Sequence, residues 1–427
     1  MQTGYNLFIR IYFSLLWVAS FFNKKASLWI QGRRNLLERI ALDLDHEADY
    51  IWFHCASSGE FEQGRPVIER FRKENPGMKV VLTFFSPSGY EMRKNYPMAD
   101  HVFYLPADTP FNARKFVEYV NPRLAVFVKY EYWYNFLNEL NRKNIPVVFI
   151  SAIFRKNQMF FRWWAAWFRK RLKRISYFFV QDKNSRDLLK QIGVFNVLVS
   201  GDTRFDRVHQ ITSKPESFEK VEKFIQGSVI FMGGSTWPAD ENLIISFINN
   251  DKSNLKYIIV PHEIHKSHTT KLLESLNKPA VVYSEYDEEK FINASVLIVD
   301  QMGMLSSLYQ YASIAYVGGG FGKGIHNILE AAAFGMPVLF GPNYKKFMEA
   351  RELVERGGAF PVKNNHEFSV VTTQLLGNYQ LLRESSSIAS NYVNSKTGAT
   401  DSIVVFLNTL TNPRHFKAGP VNLLSMN

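Results

Sequence analysis

The feature that most constrains the fold is an alternation of short apolar runs with amphipathic segments, which occurs twice along the chain. The first series comprises YIWFHCA, KVVLTFF, RLAVFVK, IPVVFIS and SYFFVQ. The second comprises SVIFMGG, KYIIVP, AVVYS, VLIVD, IAYVGGG and PVLFG. Near-continuous apolar strands that alternate with helices are typical of parallel sheets covered on both faces. The sequence therefore predicts an α/β protein with two Rossmann-like, doubly wound sheets of similar size.

The polar segment 203–226 separates the two series and is predicted to be a linker. We accordingly predict a membrane anchor with a basic flank at 1–34, a first Rossmann-like domain at 35–212, a second one at 213–385, and a helical tail at 386–427. Ligands of doubly wound sheets bind beyond the carboxyl ends of the strands. Functional residues are therefore expected in the loops that follow the strands.

The N-terminus carries an apolar stretch, residues 5–22, which only Arg10 interrupts and which four basic residues at 24–34 follow. A spanning helix needs about 20 apolar residues, and a cleaved signal peptide carries its charges before the apolar stretch. We therefore predict an uncleaved anchor, spanning or half-embedded, with the body on the cytoplasmic side. An amphipathic helix packed on the first domain is the alternative.

The net charge is +12, which favours an anionic partner such as nucleic acid, an anionic membrane surface or a phosphorylated substrate. Cys55 is the single cysteine, so no disulfide can form within the chain, and this fits a reducing compartment. Because Cys55 lies in an apolar run, we predict that it packs in the core rather than reacts.

The segment RKNQMFFRWWAAWFRKRLKR, residues 155–174, has eight basic residues and no acid. Its aromatic residues recur at helical spacing, so we predict one amphipathic helix whose tryptophan face lies in a membrane interface. A core-packed helix with a solvated basic face is one alternative. Nucleic-acid binding is another, but the apolar N-terminus makes lipid the simpler partner, and no nucleic-acid partner is expected. The residues assigned to membrane and acceptor are Arg155, Arg162, Trp163, Trp164, Trp167, Arg169 and Arg171.

A glycine-rich stretch, GGGFGKGIHNILEAAAFGMPVLFGP, occupies residues 318–342. Its spacing fits neither a Walker P-loop nor the G-x-G-x-x-G fingerprint. What remains is a strand, a glycine loop and a helix predicted to begin near Asn327, with Glu330 at its third position. This pair can cap the helix. Alternatively, the loop and the helix start face a ligand, with free N–H groups for an anion and a carboxylate for a ribose.

Three charged residues follow strands of the first series. Glu60 comes after HCASSG and opens a helix, either as an acid that suits the helix dipole or as a general base at the ligand edge. Glu131 follows RLAVFVK and is either a helix cap or a site residue. Arg204 could neutralise a phosphate or carboxylate, or form an ion pair with Asp202 or Asp206.

In the second series, Ser235 and Thr236 follow the first strand and can cap the next helix or bind phosphate oxygens. His262, His265 and His268 follow another strand, which raises the possibility of zinc. No carboxylate–histidine pattern of known spacing accompanies them. We therefore expect no metal.

The collinear motifs HCASSGE, SPSGYE, LPADTP, NPRLAVFVKYEYWYN, IPVVFISA, GDTRFD, GSTWPADE, VPHEIHK and YVGGGFGKGIHNILEAAAFGMPVLFGP resemble the 3-deoxy-D-manno-octulosonic acid (Kdo) transferases of lipopolysaccharide biosynthesis. The resemblance extends from the N-terminus to about residue 400. It implies a GT-B fold whose two domains face a cleft, a CMP-Kdo donor, a lipid A precursor (lipid IVA) as acceptor, and no metal or other cofactor. It also implies attachment to the cytoplasmic face of the inner membrane through the N-terminal helix.

The resemblance further implies roles for individual residues. Glu60 would be the general base of an inverting transfer, Glu131 a second site acid, and Arg204 the counterpart of a lysine that stabilises the transition state. The nucleotide would lie at Pro261, His262, Met302, Gly303, Met304, Asn327, Ile328, Leu329 and Glu330. Their position after strands adds Ser235, Thr236, Gly319 and Gly320 as donor-binding candidates.

This sequence departs from the family pattern at several of these positions. Lys129 replaces an acid, Tyr134 a proline, and His262 an arginine, while Met304 stands where an acid is common. Two other functions stay open: a GT-B transferase that uses a UDP-sugar on a lipid, and a non-catalytic membrane protein that only binds phosphorylated lipid or nucleic acid.

Overall fold

The computed structural model describes residues 2–411 and divides into two compact units. The first unit comprises 2–207 and 397–411, and the second comprises 208–396. The chain thus leaves the first unit after Arg207 and returns to it for its last described helix. The predicted boundary at residue 212 falls inside a helix, Arg204–Ser213.

The strands of the first unit are β1 (Tyr50–Cys55), β2 (Lys79–Phe84), β3 (His101–Tyr104), β4 (Leu124–Val128), β5 (Val147–Ala152), β6 (Tyr177–Val180) and β7 (Val197–Val199). Its helices are α1 (Gln2–Ala19), α2 (Lys24–Gly32), α3 (Leu36–Asp43), α4 (Ser58–Glu74), α5 (Pro87–Arg93), α6 (Pro110–Val120), α7 (Tyr134–Arg142), α8 (Ala166–Leu172) and α9 (Lys183–Gln191). Two 3-10 turns, Met159–Phe161 and Trp163–Ala165, precede α8. Helix α10 (Arg204–Ser213) crosses the unit boundary.

The strands of the second unit are β8 (Ile230–Thr236), β9 (Lys256–Pro261), β10 (Ala280–Val282), β11 (Val296–Ile298), β12 (Ile314–Val317), β13 (Val338–Phe340) and β14 (Ala359–Pro361). Its helices are α11 (Glu219–Ile225), α12 (Pro238–Asn250), α13 (Lys266–Glu274), α14 (Glu288–Asn293), α15 (Leu305–Leu308), α16 (Leu329–Ala333), α17 (Met348–Arg356), α18 (Asn365–Gly377) and α19 (Tyr379–Asn394). A 3-10 turn, Tyr309–Tyr311, follows α15, and α20 (Ala399–Thr411) belongs to the first unit.

Both sheets are parallel, as the two apolar series predict, and each has seven strands. The orders are β3-β2-β1-β4-β5-β6-β7 and β10-β11-β9-β8-β12-β13-β14. Every residue of β1 and β4 is buried, which explains why each reads as an unbroken apolar run. The strand order reverses direction beside β1 in one sheet and beside β8 in the other. Such switch points are where doubly wound sheets bind ligands.

The polar segment 203–226 contains the change from the first unit to the second, as the sequence predicts, but most of it is helical. It forms α10 and α11, and buried Phe205, Val208 and Phe224 supply their apolar contacts. Three short strands, β3, β7 and β14, also go unpredicted because each is only partly buried and lacks a long apolar run. The tail predicted from residue 386 is helical where described, but α19 already begins at Tyr379; residues 412–427 lie outside the described part.

The predicted single amphipathic helix at 155–174 is wrong. The segment consists of two 3-10 turns and the short α8, since Arg162 has an extended backbone (φ −79°, ψ 143°) between the turns. Phe160 and Phe168 are buried in the core of the first unit. The aromatic residues therefore do not lie on one face, because some of them are buried in the core.

Helix α1 docks on the first unit by one side. The Tyr5 hydroxyl donates to Oδ2 of buried Asp108 at 2.5 Å, and Phe13 stacks on Trp29 with ring centroids 5.0 Å apart. No helix between residues 2 and 411 is both long enough and apolar enough to cross a membrane, which corrects the spanning alternative for the N-terminus. The exposed large apolar residues of α1 and the turn after it are Leu7, Phe8, Ile11, Tyr12, Leu15, Trp17, Val18, Phe21 and Phe22.

Candidate functional site

Glu60 lies in the first turn of α4, directly beyond the carboxyl end of β1. Ser57 is the N-cap residue of this helix, and its hydroxyl donates to the Glu60 carboxylate. The helix lies tight against the sheet because Gly64 has no side chain. A Cβ at Gly64 would lie 3.0 Å from Sγ of Cys55 and 3.2 Å from a methyl group of Val128. Glu60 therefore has the first-turn position of an acid that suits the helix dipole and also the position expected of a site residue.

Glu131 follows β4, the neighbour of β1. The strand ends at Val128, and Lys129 adopts a left-handed backbone conformation (φ 65°) that turns the chain. Lys129 and Glu131 thus occupy a turn rather than one face of a strand. A non-glycine residue in this conformation is strained, and such strain is common at functional sites. The side chain of Glu131 is 14% exposed.

The charges of Glu60 and Glu131 both raise the pKa values of Cys55 and Tyr130. The pKa of the Cys55 thiol is raised well above its usual value, first by burial and then by the charges of Glu60 and Glu131. The pKa of Tyr130 is raised by burial, Glu60 and Glu131, while Arg155 opposes the shift. Because β1 and β4 are paired, Glu60 and Glu131, which follow these strands, lie at the same carboxyl edge of the first sheet. Cys55 itself is buried, as predicted.

A buried hydrogen-bond network lies behind Glu131, and sequence reasoning missed it. The Thr83 hydroxyl accepts from Nε1 of Trp52 (2.8 Å) and contacts Nδ1 of His54 at 2.9 Å. Nε2 of His54 accepts from the indole N–H of Trp133 at 3.2 Å. Because Nε2 is an acceptor there, the proton of the neutral imidazole lies on Nδ1 and is donated to Thr83. Nε2 is also 3.7 Å from Oε2 of Glu131, so this network lines the base of the acid pair.

Arg204 begins α10 and is held by Asp202. Its Nε and Nη2 atoms lie 2.9 and 2.8 Å from Oδ2 of Asp202, one of the two ion pairs that the sequence suggested. Burial works to raise the pKa of Asp202, but the Arg204 charge and several hydrogen bonds bring it below its usual value. The side-chain amide of Gln63, on the same helix as Glu60, also donates to Asp202.

In the second unit the glycine loop lies against the end of β8. A Cβ at Gly318 would lie 2.2 Å from the carbonyl oxygen of Ser235, so only glycine permits this approach. Ser235 itself has a left-handed backbone (φ 50°) at a bulge between β8 and β9. Gly319 and Gly320 are buried in the same loop. The donor candidates on these two segments are therefore neighbours.

Three rings form a platform beside this loop. The rings of His262 and His326 stack with centroids 4.2 Å apart, and Trp237 lies 4.7 Å from His262. The Trp237 indole N–H donates to Nε2 of His326 at 2.9 Å. Burial, followed by the charge of His262, lowers the pKa of His326 to about 4. Behind the platform, buried Asp240 accepts hydrogen bonds from the backbone N–H groups of Trp237 and Gly319.

The helix after the glycine loop begins at Leu329, two residues later than predicted, with Ile328 as its N-cap. Asn327 still binds the helix start, since Oδ1 accepts from Leu329 N–H at 3.2 Å. Its amide nitrogen donates to Oε1 of Glu330 at 2.9 Å. Burial and then the Glu330 charge raise the pKa of Tyr309. Asn327 and Glu330 thus form the expected pair at the carboxyl end of β12.

The remaining predicted donor residues lie at the carboxyl ends of two neighbouring strands, β9 and β11. Pro261 is the buried last residue of β9. Met302 is exposed, Gly303 has a left-handed backbone (φ 88°), and Met304 is buried. These residues follow β9 and β11, which are paired, so they reach the same edge of the second sheet.

Thr236 and His268 have structural partners. The Thr236 hydroxyl donates to Oε1 of buried Glu241 at 3.0 Å, and Nε2 of His268 lies 2.9 Å from Oε2 of the same carboxylate. His262 instead belongs to the ring platform, and His265 is the N-cap residue of α13. Across residues 2–411, no three histidine, cysteine, aspartate or glutamate side chains are grouped as a metal site.

The residues assigned to membrane contact divide into two groups. Trp163 and Trp164 are exposed, at 88% and 48%, and Arg155 and Arg162 are exposed beside them in the chain. Arg169 points inward and donates to the carbonyl oxygen of Phe160 at 3.2 Å.

Trp167 and Arg171 both contact Tyr134. The rings of Trp167 and Tyr134 lie 5.4 Å apart, and Arg171 donates to the Tyr134 hydroxyl at 3.0 Å. The rings of Tyr5, on α1, and Tyr134 have centroids 5.3 Å apart. Tyr134 therefore joins the basic segment to the N-terminal helix.

Residues 32–207 match the family model described as 3-deoxy-D-manno-octulosonic-acid transferase (kdotransferase). The chain is 25% identical over 369 residues to a 3-deoxy-D-manno-octulosonic acid transferase of Rickettsia prowazekii, covering 83% of this chain and 78% of that protein. It is 27% identical over 332 residues to a transferase of the same name from Aquifex aeolicus, covering 76% of this chain and 86% of that protein.

The fold is similar to that of the UDP-GlcNAc 2-epimerase of Neisseria meningitidis. The TM-score is 0.58 at 18% identity, and the match covers 84% of this chain and 99% of the epimerase. At this identity the likeness concerns the fold alone. This likeness agrees with the two Rossmann-like sheets, and the fold is GT-B-like.

Proposed function

Since this chain belongs to the Kdo transferase family of glycosyltransferases, we propose that it transfers Kdo from CMP-Kdo to a lipid A precursor, lipid IVA. The single observation that carries the site assignment is that Glu60 and Glu131 follow β1 and β4, the paired strands at the switch point of the first sheet. Two carboxylates at a topological switch point can supply acid–base chemistry where a ligand binds.

Glu60 acts as the general base. Its carboxylate accepts the proton of the acceptor hydroxyl while the hydroxyl oxygen forms a bond to the anomeric carbon of Kdo. The bond between that carbon and the phosphate oxygen breaks, and CMP leaves with the electron pair. Attack from the side opposite the leaving group inverts the anomeric configuration. The Ser57 hydroxyl, which donates to Glu60, supports this role by fixing the carboxylate.

The donor binds the second unit. Backbone N–H groups of the glycine loop balance the phosphate charge, and Glu330 accepts hydrogen bonds from the ribose. The contact between Asn327 and Glu330 supports this assignment because it orients the carboxylate at the start of α16. The ring platform of Trp237, His262 and His326 offers planar faces beside the same loop.

The acceptor reaches Glu60 from an anionic membrane surface at the cytoplasmic face of the inner membrane. Nine large apolar residues are exposed on α1 and on the turn after it. The segment 155–174, which exposes Trp163 and Trp164, contacts α1 through Tyr134, since Tyr134 contacts both Tyr5 and Trp167. Aromatic and cationic side chains are the combination that binds membrane interfaces.

The test is to incubate the protein with CMP-Kdo and tetra-acylated lipid A precursor and to determine the product masses. We expect a mass increase of one or more Kdo residues, and inhibition by CMP that UDP does not reproduce. Inhibition by UDP, with transfer from a UDP-sugar, would instead identify the alternative lipid glycosyltransferase. Lipid binding without any turnover would identify a non-catalytic protein.

A further inference from the structure

Two loops at the carboxyl edge of the second sheet carry an excess of positive charge. The loop after β12 contains Lys323, and the loop after β13 contains Lys345 and Lys346. All three lysines are exposed. Together with Pro342 and Asn343 they line one surface pocket, and no carboxylate is among these lining residues.

The two loops hold each other in place. The backbone N–H of Asn343 donates to the carbonyl oxygen of Gly320 at 2.9 Å, and its side-chain amide donates to that of Gly322 at 2.9 Å. The ammonium group of Lys346 donates to the carbonyl oxygen of Lys323. β12 and β13 are paired in parallel, so both loops leave the sheet at the same edge. The pocket is therefore built by the fold rather than by chance contact of long side chains.

The positive charge of this pocket has no carboxylate partner. Between positions 318 and 348, Glu330 is the sole acid, and it contacts Asn327. Within residues 2–411, no salt bridge joins Lys323, Lys345 or Lys346 to an acid. Adjacent uncompensated ammonium groups attract anions to a surface. A lysine ammonium group suits a phosphate or a carboxylate because it is a compact point charge whose N–H donors can rotate.

We propose that Lys323, Lys345 and Lys346 form a second anion subsite, which binds an oxyanion of a substrate beside the glycine loop. None of the three lysines is among the residues assigned to the nucleotide, so the subsite extends the donor site. This inference rests on the proposed function. Two groups share the required chemistry: the carboxylate of the donor's Kdo and a phosphate of the lipid acceptor. The lysine cluster makes the enzyme select for a negative charge at that point.

The experiment compares Lys345→Gln/Lys346→Gln with the wild-type chain. The matched control is Lys252→Gln, since Lys252 is also exposed but lies between α12 and β9, at the opposite edge of the same sheet. The KM values for CMP-Kdo and for acceptors with and without phosphates are measured, together with the Kd of CMP. We expect the double variant to raise one substrate's KM roughly tenfold, while the control and the affinity for CMP stay unchanged.

Each outcome decides the proposal. A raised KM for CMP-Kdo with unchanged CMP affinity assigns the subsite to the Kdo carboxylate. A raised KM for the phosphorylated acceptor, absent with the dephosphorylated one, assigns it to the acceptor phosphate. KM values equal to those of the control overturn the subsite.

A binding measurement keeps this test separate from the proposed reaction. Inorganic pyrophosphate is titrated calorimetrically into the wild-type, double-variant and Lys252→Gln proteins. The subsite predicts weaker binding in the double variant alone, and equal binding in all three overturns it. If the wild-type chain transfers no Kdo, the proposed reaction fails while this measurement still decides the subsite.

Discussion

The side-chain amide of Gln63 donates to both carboxylate oxygens of Asp202, at 3.0 and 3.1 Å. Gln63 lies three residues after Glu60 on α4, and Asp202 also binds Arg204. One buried carboxylate therefore joins the helix of the candidate base to the candidate cation. Both residues are packed out of solvent, so the contact is not weakened by water.

Gln63→Leu is expected to lower the free energy of unfolding by roughly 1–3 kcal/mol, because it removes a donor from a buried carboxylate. Urea unfolding followed by circular dichroism measures the change. Gln191→Leu is the control, since Gln191 is exposed on α9 of the same unit. A loss no larger than that of the control would contradict the importance of this contact.

Glu60→Gln is expected to lower kcat for Kdo transfer roughly 10²- to 10⁴-fold, the contribution typical of a general base. The affinity for CMP should not change, because the donor residues lie on the second unit. Glu62→Gln serves as the control: Glu62 is on the same helix, but its carboxylate pairs with Arg93 at 2.8 Å. Initial rates and CMP titrations provide both readouts, and equal rates for the two variants would exclude Glu60 as the base.

Thr83→Val is expected to destabilise the first unit by roughly 2–6 kcal/mol. The valine keeps the shape but leaves two buried N–H groups, on Trp52 and His54, without their acceptor, at roughly 1–3 kcal/mol each. Thr83→Ser retains the hydroxyl and is the matched control. Thermal and urea unfolding compare the pair, and equal stabilities would mean that the hydroxyl accepts no important hydrogen bond.

The imidazole of His326 is expected to stay neutral down to about pH 4. Its pKa lies below the usual value, so the unfolded chain binds the proton more readily between pH 6.5 and 4. The stabilising contribution is therefore complete above pH 6.5 and is lost as the pH falls toward 4. NMR titration of the ring proton measures this pKa. In His262→Ala the pKa should rise, because a neighbouring charge that lowers it is removed; an unchanged value would argue against the ring contact.

Trp163→Ser/Trp164→Ser is expected to weaken binding to vesicles of anionic lipid by roughly tenfold or more, since two exposed aromatic side chains no longer enter the interface. Vesicle sedimentation measures the bound fraction. Tyr379→Ser is the control, because Tyr379 is 75% exposed but belongs to the second unit. Undiminished binding of the tryptophan variant would show that the membrane contacts another surface.

The sequence predicted those elements whose pattern is local. β1 and β4 are buried throughout, so their apolar runs predict parallel strands. Because the two strands are paired in parallel, the acids that follow them lie at the same edge of the sheet. The role of His54 could not be predicted in the same way. Its partner Thr83 lies on β2, and the register His54↔Thr83 emerges only when the strands pair.

The basic segment 155–174 shows why helical spacing alone misled the prediction. The spacing of its aromatic residues fits a helix, but spacing does not reveal which rings the core will take. Phe160 and Phe168 are buried against other aromatic residues, while Trp163 stays exposed. Which aromatic side chains are buried depends on neighbours that are distant in sequence. The backbone is extended at Arg162, between the two 3-10 turns, so the segment does not continue as one helix.

The return of the chain to the first unit has a consequence for how this protein is made on the ribosome. α20 contributes Ile403, Val404 and Leu407 to the same buried cluster as Ile51 and Val80. Asp206 also holds the start of this helix through the backbone N–H groups of Gly398 and Thr400. The first unit is therefore completed only after the whole of the second unit has been translated, and a premature stop codon before position 399 would leave β1 and β2 without the apolar contacts of α20.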